Sequence, residues 1–206
     1  MIYYFPSCQF HTAHPETSAF IKAYLKRRWN AETRGCCRSS WAIQDEDLLI
    51  TVCLSCQAIL KERFPNCTVI HVLSLFERDS EFFWPDYKGV SITVQDCVRA
   101  SRQLRCQVRQ ALNKMNFITH EPQVQAATCR TLLMNPISER NLISAPHYFE
   151  ELKKSVNLIP LQKQLTLLQS QVDAYPDRRV VTYCNSCYKT LDSLNINHAH
   201  SFDLIF

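Results

Sequence analysis

Short apolar, β-branched and aromatic runs alternate along this chain with stretches whose apolar positions recur at helical spacing. MIYYFPS reads as a strand leading into Cys8. Residues 15–29 follow, with Phe20, Ile21, Tyr24 and Leu25 on one face, which predicts a helix. DLLITV is another strand; it runs straight into Cys53-x-x-Cys56, and a helical pattern follows. GVSITVQD leads into Cys97, and 98–114 is helical in pattern, with Val98, Leu104, Val108, Ala111 and Leu112 apolar. RRVVTY leads into Cys184-x-x-Cys187, again ahead of a helix.

With the cysteines as anchors, the pattern is a repeat. GCCR carries Cys36 and Cys37 before Arg38; its counterpart ATCR carries Cys129 before Arg130, with Thr128 where Cys36 stands. The tails match loosely, IHVLSLF at 70–76 against HAHSFDLIF at 198–206. The reading is two cysteine-rich repeats, 1–80 and 88–206, joined through 81–89 with Pro85 and Gly89 as breakers. The second repeat holds extra material at 131–170, part of it helical in period and interrupted by Pro160. Strand–helix alternation in both halves predicts an α/β fold with mostly parallel sheets. Sites in such folds form at the C-terminal ends of strands. Cys8, Cys53, Cys97 and Cys184 all fall at predicted strand ends.

Composition then narrows the chemistry. The chain has 206 residues, 46% apolar and 20% charged, which is globular and excludes disorder, collagen and coiled coil as overall descriptions. Glycine occurs only at Gly35 and Gly89, so no G-x-G-x-x-G or P-loop can exist, and no flavin or nucleotide fingerprint is present. Cysteine occurs 11 times, an odd number that leaves a thiol over from any full pairing. MIYYFPSCQF has no basic region or long apolar run, so no secretory signal is read there, and no apolar run is long enough to span a membrane. A cytoplasmic protein with reduced thiols is expected. The net charge of +4 is mild and does not call for nucleic acid.

Cysteines spaced in clusters then read as metal ligands or redox groups. The first repeat offers Cys8, Cys36, Cys37, Cys53 and Cys56; the second offers Cys97, Cys129, Cys184 and Cys187. A C-x-x-C at a strand-to-helix turn puts two sulfurs within reach of one metal, and the helix N-terminus favours thiolate. Four thiolates suit tetrahedral zinc or a cubane iron–sulfur cluster. Five, with an adjacent pair, exceed either need and fit an unusual cluster or a cysteine free for thiol chemistry. The first set is therefore the candidate for redox work. Cys67 and Cys106 read as core thiols. Arg99, Arg102, Arg105 and Arg109 read as a solvated helix face, and Arg38 and Arg130 either as simple salt-bridging charges or as charges that stabilise nearby thiolates or raise a cluster's potential.

YFPSC, GCC, TVCLSC, VQDC and VVTYCNSC, in this order and over nearly the whole chain, resemble the cysteine-rich CCG-domain family, which includes the B subunit of heterodisulfide reductase. The chain departs from that pattern at Arg38 and Arg130, where the family has glycine, and at Thr128, where one cysteine of the second pair is lost. The resemblance implies an iron–sulfur redox protein or oxidoreductase subunit that transfers electrons or reduces disulfides. It implies Cys8, Cys36, Cys37, Cys53 and Cys56 as ligands of an iron–sulfur cluster (4Fe–4S), with Cys36 and Cys37 the catalytic pair. It implies Cys97, Cys129, Cys184 and Cys187 as a reduced set for a second cluster or zinc. Partners would be other oxidoreductase subunits or an electron-transfer protein, with a small disulfide as possible substrate. The competing expectation is a zinc-structured binding module without redox chemistry.

Overall fold

A computed structural model of the chain describes residues 1–122, 137–155, 160, 162–163, 166–167, 169–170, 175 and 179–206. The fold is α/β, with two four-stranded, all-parallel sheets alternating with helices.

The first sheet is built from β1 (Ile2–Phe5), β2 (Glu32–Thr33), β3 (Leu48–Thr51) and β4 (Thr68–His71), in the order β2-β1-β3-β4. Its helices are α1 (Cys8–Ala13), α2 (Pro15–Trp29), α3 (Leu54–Arg63) and α4 (Leu73–Arg78). The predicted helix at 15–29 forms with those bounds, started by Pro15 at its first position.

The second sheet repeats the design. It contains β5 (Ser91–Gln95), β6 (Ile118–His120), β7 (Arg179–Thr182) and β8 (His198–His200), in the order β6-β5-β7-β8. Its order matches the first sheet strand for strand. α5 (Arg102–Lys114) follows β5, and α8 (Asn185–Ser193) follows β7. The helix expected over 98–114 begins only at Arg102. Ala100 N–H closes a turn on the Cys97 carbonyl, and Ser101 caps the helix by accepting from Leu104 N–H.

Between β6 and β7 lie α6 (Glu139–Ser144) and α7 (Pro146–Ser155). By their contacts, residues 137–154 belong to the compact unit formed by 1–78, together with Phe206, while 79–136 and 155–205 form the other unit. Ala145 and Phe149 are buried in one core with Tyr3, Phe5, Leu49, Ile59 and Val69, and that core also holds Cys37 and Cys56.

Asparagine takes over a glycine task at helix ends. Asn30, Asn116 and Asn195 sit in the left-handed region at φ 50°, 58° and 56° behind α2, α5 and α8, where asparagine is the usual substitute. The chain therefore manages with glycine only at two places.

Candidate metal and thiol centres

In each sheet the order of connections reverses between the two central strands. β1 connects first to β2 on one side and then to β3 on the other; β5 does the same with β6 and β7. The crevice outside such a reversal is where ligands bind in open parallel sheets. Cys8 and Cys53 follow β1 and β3, and Cys97 and Cys184 follow β5 and β7. Cys53 and Cys184 are the N-cap residues of α3 and α8, with matching backbone at φ −125°, ψ 128° and φ −126°, ψ 119°. Each C-x-x-C thus opens a helix, with the second cysteine in its first turn.

In the second half, Cys97, Cys184 and Cys187 are buried, and their sulfurs all lie within 4.8 Å of one another. This triad could hold a metal ion. The Cys184 thiol is held well below the ordinary thiol range: the Cys187 and Cys97 side chains hydrogen-bond to it, and the Arg99 charge adds to this against the cost of burial. Arg99 Nη2 lies 3.7 Å from Cys184 Sγ. The side-chain amide of Asn185, between the two ligands of the motif, is buried with no hydrogen-bond partner among the described residues. Three converging sulfurs, one biased to thiolate, beside an unsatisfied buried donor, fit a thiophilic metal. Cys129, Thr128 and Arg130 lie outside the described residues.

A polar frame holds this triad. Tyr183 Oη donates to Asp96 Oδ1 at 2.9 Å and accepts from Cys97 N–H at 3.4 Å. Arg109 grips the same carboxylate with two N–H groups at 2.9 and 3.1 Å, and also pairs with Glu121. Arg105 reaches the Cys97 carbonyl at 3.4 Å. The arginines expected on a solvated face therefore include three that serve the site, Arg99, Arg105 and Arg109; Arg102 stays exposed. Their recurrence at helical spacing was the available signal. The pattern gave no sign that the same face adjoins Cys97.

In the first half the five cysteines are all brought together, as a series rather than a triad. Cys8 hydrogen-bonds to Cys36, Cys36 to Cys37, Cys37 to Cys56, and Cys56 to Cys53. The series runs from exposed Cys8, through half-buried Cys36, to buried Cys37 and Cys56, and ends at half-buried Cys53. The Cys37 thiol is lowered, chiefly because Cys56 donates to it, helped by the Arg38 charge and the hydrogen bond from Cys36, against burial. The Cys56 thiol is pushed well up, because it donates to Cys37 and Cys53 and is buried. Cys8 is raised by burial and then by its bond to Cys36.

The Cys-Cys loop is fixed by Trp41 and Arg63. Trp41 Nε1 donates to the Cys36 carbonyl at 2.9 Å. Arg63 Nη1 donates to the carbonyls of Cys37 at 2.7 Å and Ser39 at 3.0 Å. The Trp41 ring lies against Gly35, where an added Cβ would come within 3.3 Å of it. Ser7, at φ 66°, turns the chain from β1 into Cys8. Trp41 and Arg63 carry no motif, and nothing in the sequence marks them.

Two smaller expectations meet the structure differently. Cys67 packs half-buried against the first core and donates to the Gln44 carbonyl at 3.2 Å. Cys106 is exposed on α5 and is not a core thiol, because its helix position faces away from Leu104 and Val108.

No family model, curated protein or solved structure matches the chain.

Proposed function

We propose that this chain is a cysteine-site redox protein, in which the first-half cysteines do the redox work and the second-half triad holds a metal. The observation that carries the reading is the unbroken series of five thiols, open to solvent at Cys8 and carrying a lowered thiol, Cys37, in its interior. A purely structural metal site needs neither five sulfurs nor an exposed one. The soft donor set and the nearby Arg38 and Arg63 suit an iron–sulfur cluster, as the resemblance to the heterodisulfide reductase B subunit implies. Such a cluster, when bound, supplies one-electron chemistry. The side chains that would hold it are Cys8, Cys36, Cys37, Cys53 and Cys56. On this reading the protein works as a subunit or carrier beside other oxidoreductase components. Among the described residues no helix is long and apolar enough to cross a membrane.

One observation favours a second reading for the second half. A single tetrahedral ion with bonds of about 2.3 Å draws its sulfurs to about 3.8 Å apart, whereas a cubane seats each thiolate on a different iron. The triad, within 4.8 Å, is compact enough for the single ion. Zinc there would make this half a metal-structured module.

Anaerobic purification, metal and sulfide analysis and an absorption spectrum test both readings. Iron with sulfide and a broad band near ~400 nm supports the redox protein. Zinc alone, with no band after cluster reconstitution, overturns the iron–sulfur reading and leaves the module.

A further inference from the structure

The open edge of the first sheet lies beside α2, and the two enclose a groove. β2 ends the strand order, so one side of it pairs with no strand. Its register on β1 sets Tyr4 opposite Thr33, and Arg34 N–H donates to the Tyr4 carbonyl at 2.8 Å. Alternate residues of a parallel strand bond to the same neighbour, so Thr33 turns its own N–H and C=O to the open side.

The groove between that edge and α2 measures about 530 Å³. Ala19 and Ala23, one turn apart on α2, keep its helix wall low, and Lys22 and Lys26 line the same wall. Among the described residues neither ammonium pairs with a carboxylate; Lys26 Nζ donates at 2.7 Å to Asn30 Oδ1, a neutral partner. Glu32 also lines the groove, but Arg34 answers its charge at 2.8 Å. The groove therefore carries unspent positive charge next to unspent backbone groups.

We propose that this groove binds an extended acidic segment of a partner protein, added to β2 as a further strand with its carboxylates on Lys22 and Lys26. Thr33 supplies the backbone pairing, and the low alanine wall leaves room for the segment's side chains. β2 has only two residues, and so short an edge resists indiscriminate pairing. The lysines therefore decide what docks, selecting acidic over basic segments. A concave site at a sheet edge fits a strand better than it fits the flat anionic surface of a membrane. Cys36 lies three residues beyond Thr33 in the chain, so a docked segment holds its owner beside the first-half cysteines. The docking stands on the groove's geometry; only its purpose, bringing a redox partner to those cysteines, rests on the reading above.

The test uses the full-length chain, purified anaerobically, with its metal and sulfide content measured on the same sample. The probe is a dye-labelled peptide of alternating valine and glutamate, followed by fluorescence anisotropy. It should bind saturably, and more weakly as salt rises. Lys22→Glu combined with Lys26→Glu should weaken binding about 10-fold or more. The same variant should gain binding of the valine–lysine peptide, which the parent refuses, and a misfolded variant would not show that gain. Thr33→Pro removes the outward N–H and spares the ladder to β1, since proline is tolerated on the open side of an edge strand. It should cut binding about 10-fold with an unchanged circular dichroism spectrum. N-methylation of all the valines or of all the glutamates should abolish binding in one of the two peptides, the one whose N–H groups face β2. Parent-like binding of both methylated peptides, or acidic-peptide binding that survives the charge reversal, overturns the proposal. So does capture by phosphatidylserine vesicles without binding of the acidic peptide. If the peptide binds to protein that holds no iron or sulfide even after reconstitution, the docking stands and the iron–sulfur reading falls. If iron and sulfide are present and the peptide does not bind, the reverse holds.

Discussion

The phenol of Tyr183 donates to Asp96 at 2.9 Å, tying together the residues that immediately precede Cys184 and Cys97, each one step beyond the end of the paired parallel strands β7 and β5. The Asp96 carboxylate is buried and also held by Arg109, so the spacing of these two sulfurs is set by a charged frame and not by packing alone. Tyr183→Phe removes one hydrogen bond to a buried carboxylate and should cost about 1.5–3 kcal/mol. Because it loosens the support of the ligands, metal affinity should fall about 10- to 100-fold. Competition against a chromophoric chelator measures the second effect, and urea unfolding the first. An unchanged affinity would remove Tyr183 from any supporting role.

Acid, not alkali, should loosen the second half of the metal-free protein. The folded Cys184 thiol is depressed, so it contributes stability that is fully present above the ordinary thiol value of about 8.5. That stability is lost as pH falls through the folded value. Cys184→Ser should therefore destabilise the metal-free chain most at alkaline pH, and the difference from the parent should shrink on acidification. Urea midpoints of both proteins across a pH series give the comparison. A gap that widens in acid would contradict the assigned thiolate.

Replacing the half-buried sulfur of Cys36 by a hydroxyl should leave both sheets standing. Its backbone carbonyl, which Trp41 grips, is untouched by the change. Cys36→Ser should lose disulfide reactivity while keeping the circular dichroism spectrum and the metal bound by Cys97, Cys184 and Cys187. Loss of the whole fold in this variant would mean that Cys36 is structural.

On the redox reading, charge near the open end should steer a small disulfide toward the first-half thiols. Arg38 is exposed, next to Cys37, and its guanidinium hydrogen-bonds to Asn141. Arg38→Glu should slow reaction with glutathione disulfide a few-fold, and high salt should erase most of the difference, as screening predicts. Reaction with the dication cystamine should not slow. Equal slowing of both would point to disturbed loop geometry instead of charge.

How much of this was legible depends on range. The strand-into-cysteine signals at Cys8, Cys53, Cys97 and Cys184 are local, since a β-branched run followed by a helical period needs no distant information, and the structure places all four at strand ends. The match between the two sheet orders follows from the same repeat. The frame around Cys97 was not legible. Arg109 and Asp96 are 13 residues apart, and Tyr183 reaches Asp96 across 87. Periodicity tells which residues share a helix face but not what the face packs on. The serial order of the first-half thiols was equally hidden. Cys36 and Cys37 are neighbours in the chain, yet one faces solvent and the other the core. His71 and His200, in the matching tails 70–76 and 198–206, are the last residues of β4 and β8. There each Nδ1 accepts from the N–H two residues on, at 3.5 and 3.4 Å.

The segment 137–154 offers the most direct check of how the first half is built. In the sequence it falls between cysteines of the second repeat, yet its apolar side chains complete the core around Cys37 and Cys56. Phe149 is 1% exposed in that core. The helix that carries it is held at its start by Glu62, whose carboxylate accepts from the N–H groups of His147 at 2.9 Å and Tyr148 at 3.0 Å. An acidic side chain there satisfies orphan donors and complements the helix dipole. Phe149→Ala removes a buried ring and should cost about 3–5 kcal/mol. Glu62→Gln keeps one acceptor oxygen and loses the charge, and should cost about 0.3–1 kcal/mol. Since Cys37 and Cys56 share the core with Phe149, Phe149→Ala should also speed their alkylation, while Cys184 and Cys187 keep their protection. Urea unfolding with mass-spectrometric alkylation rates reads both effects together. Unchanged protection at Cys37 would place the segment's packing away from the thiol series.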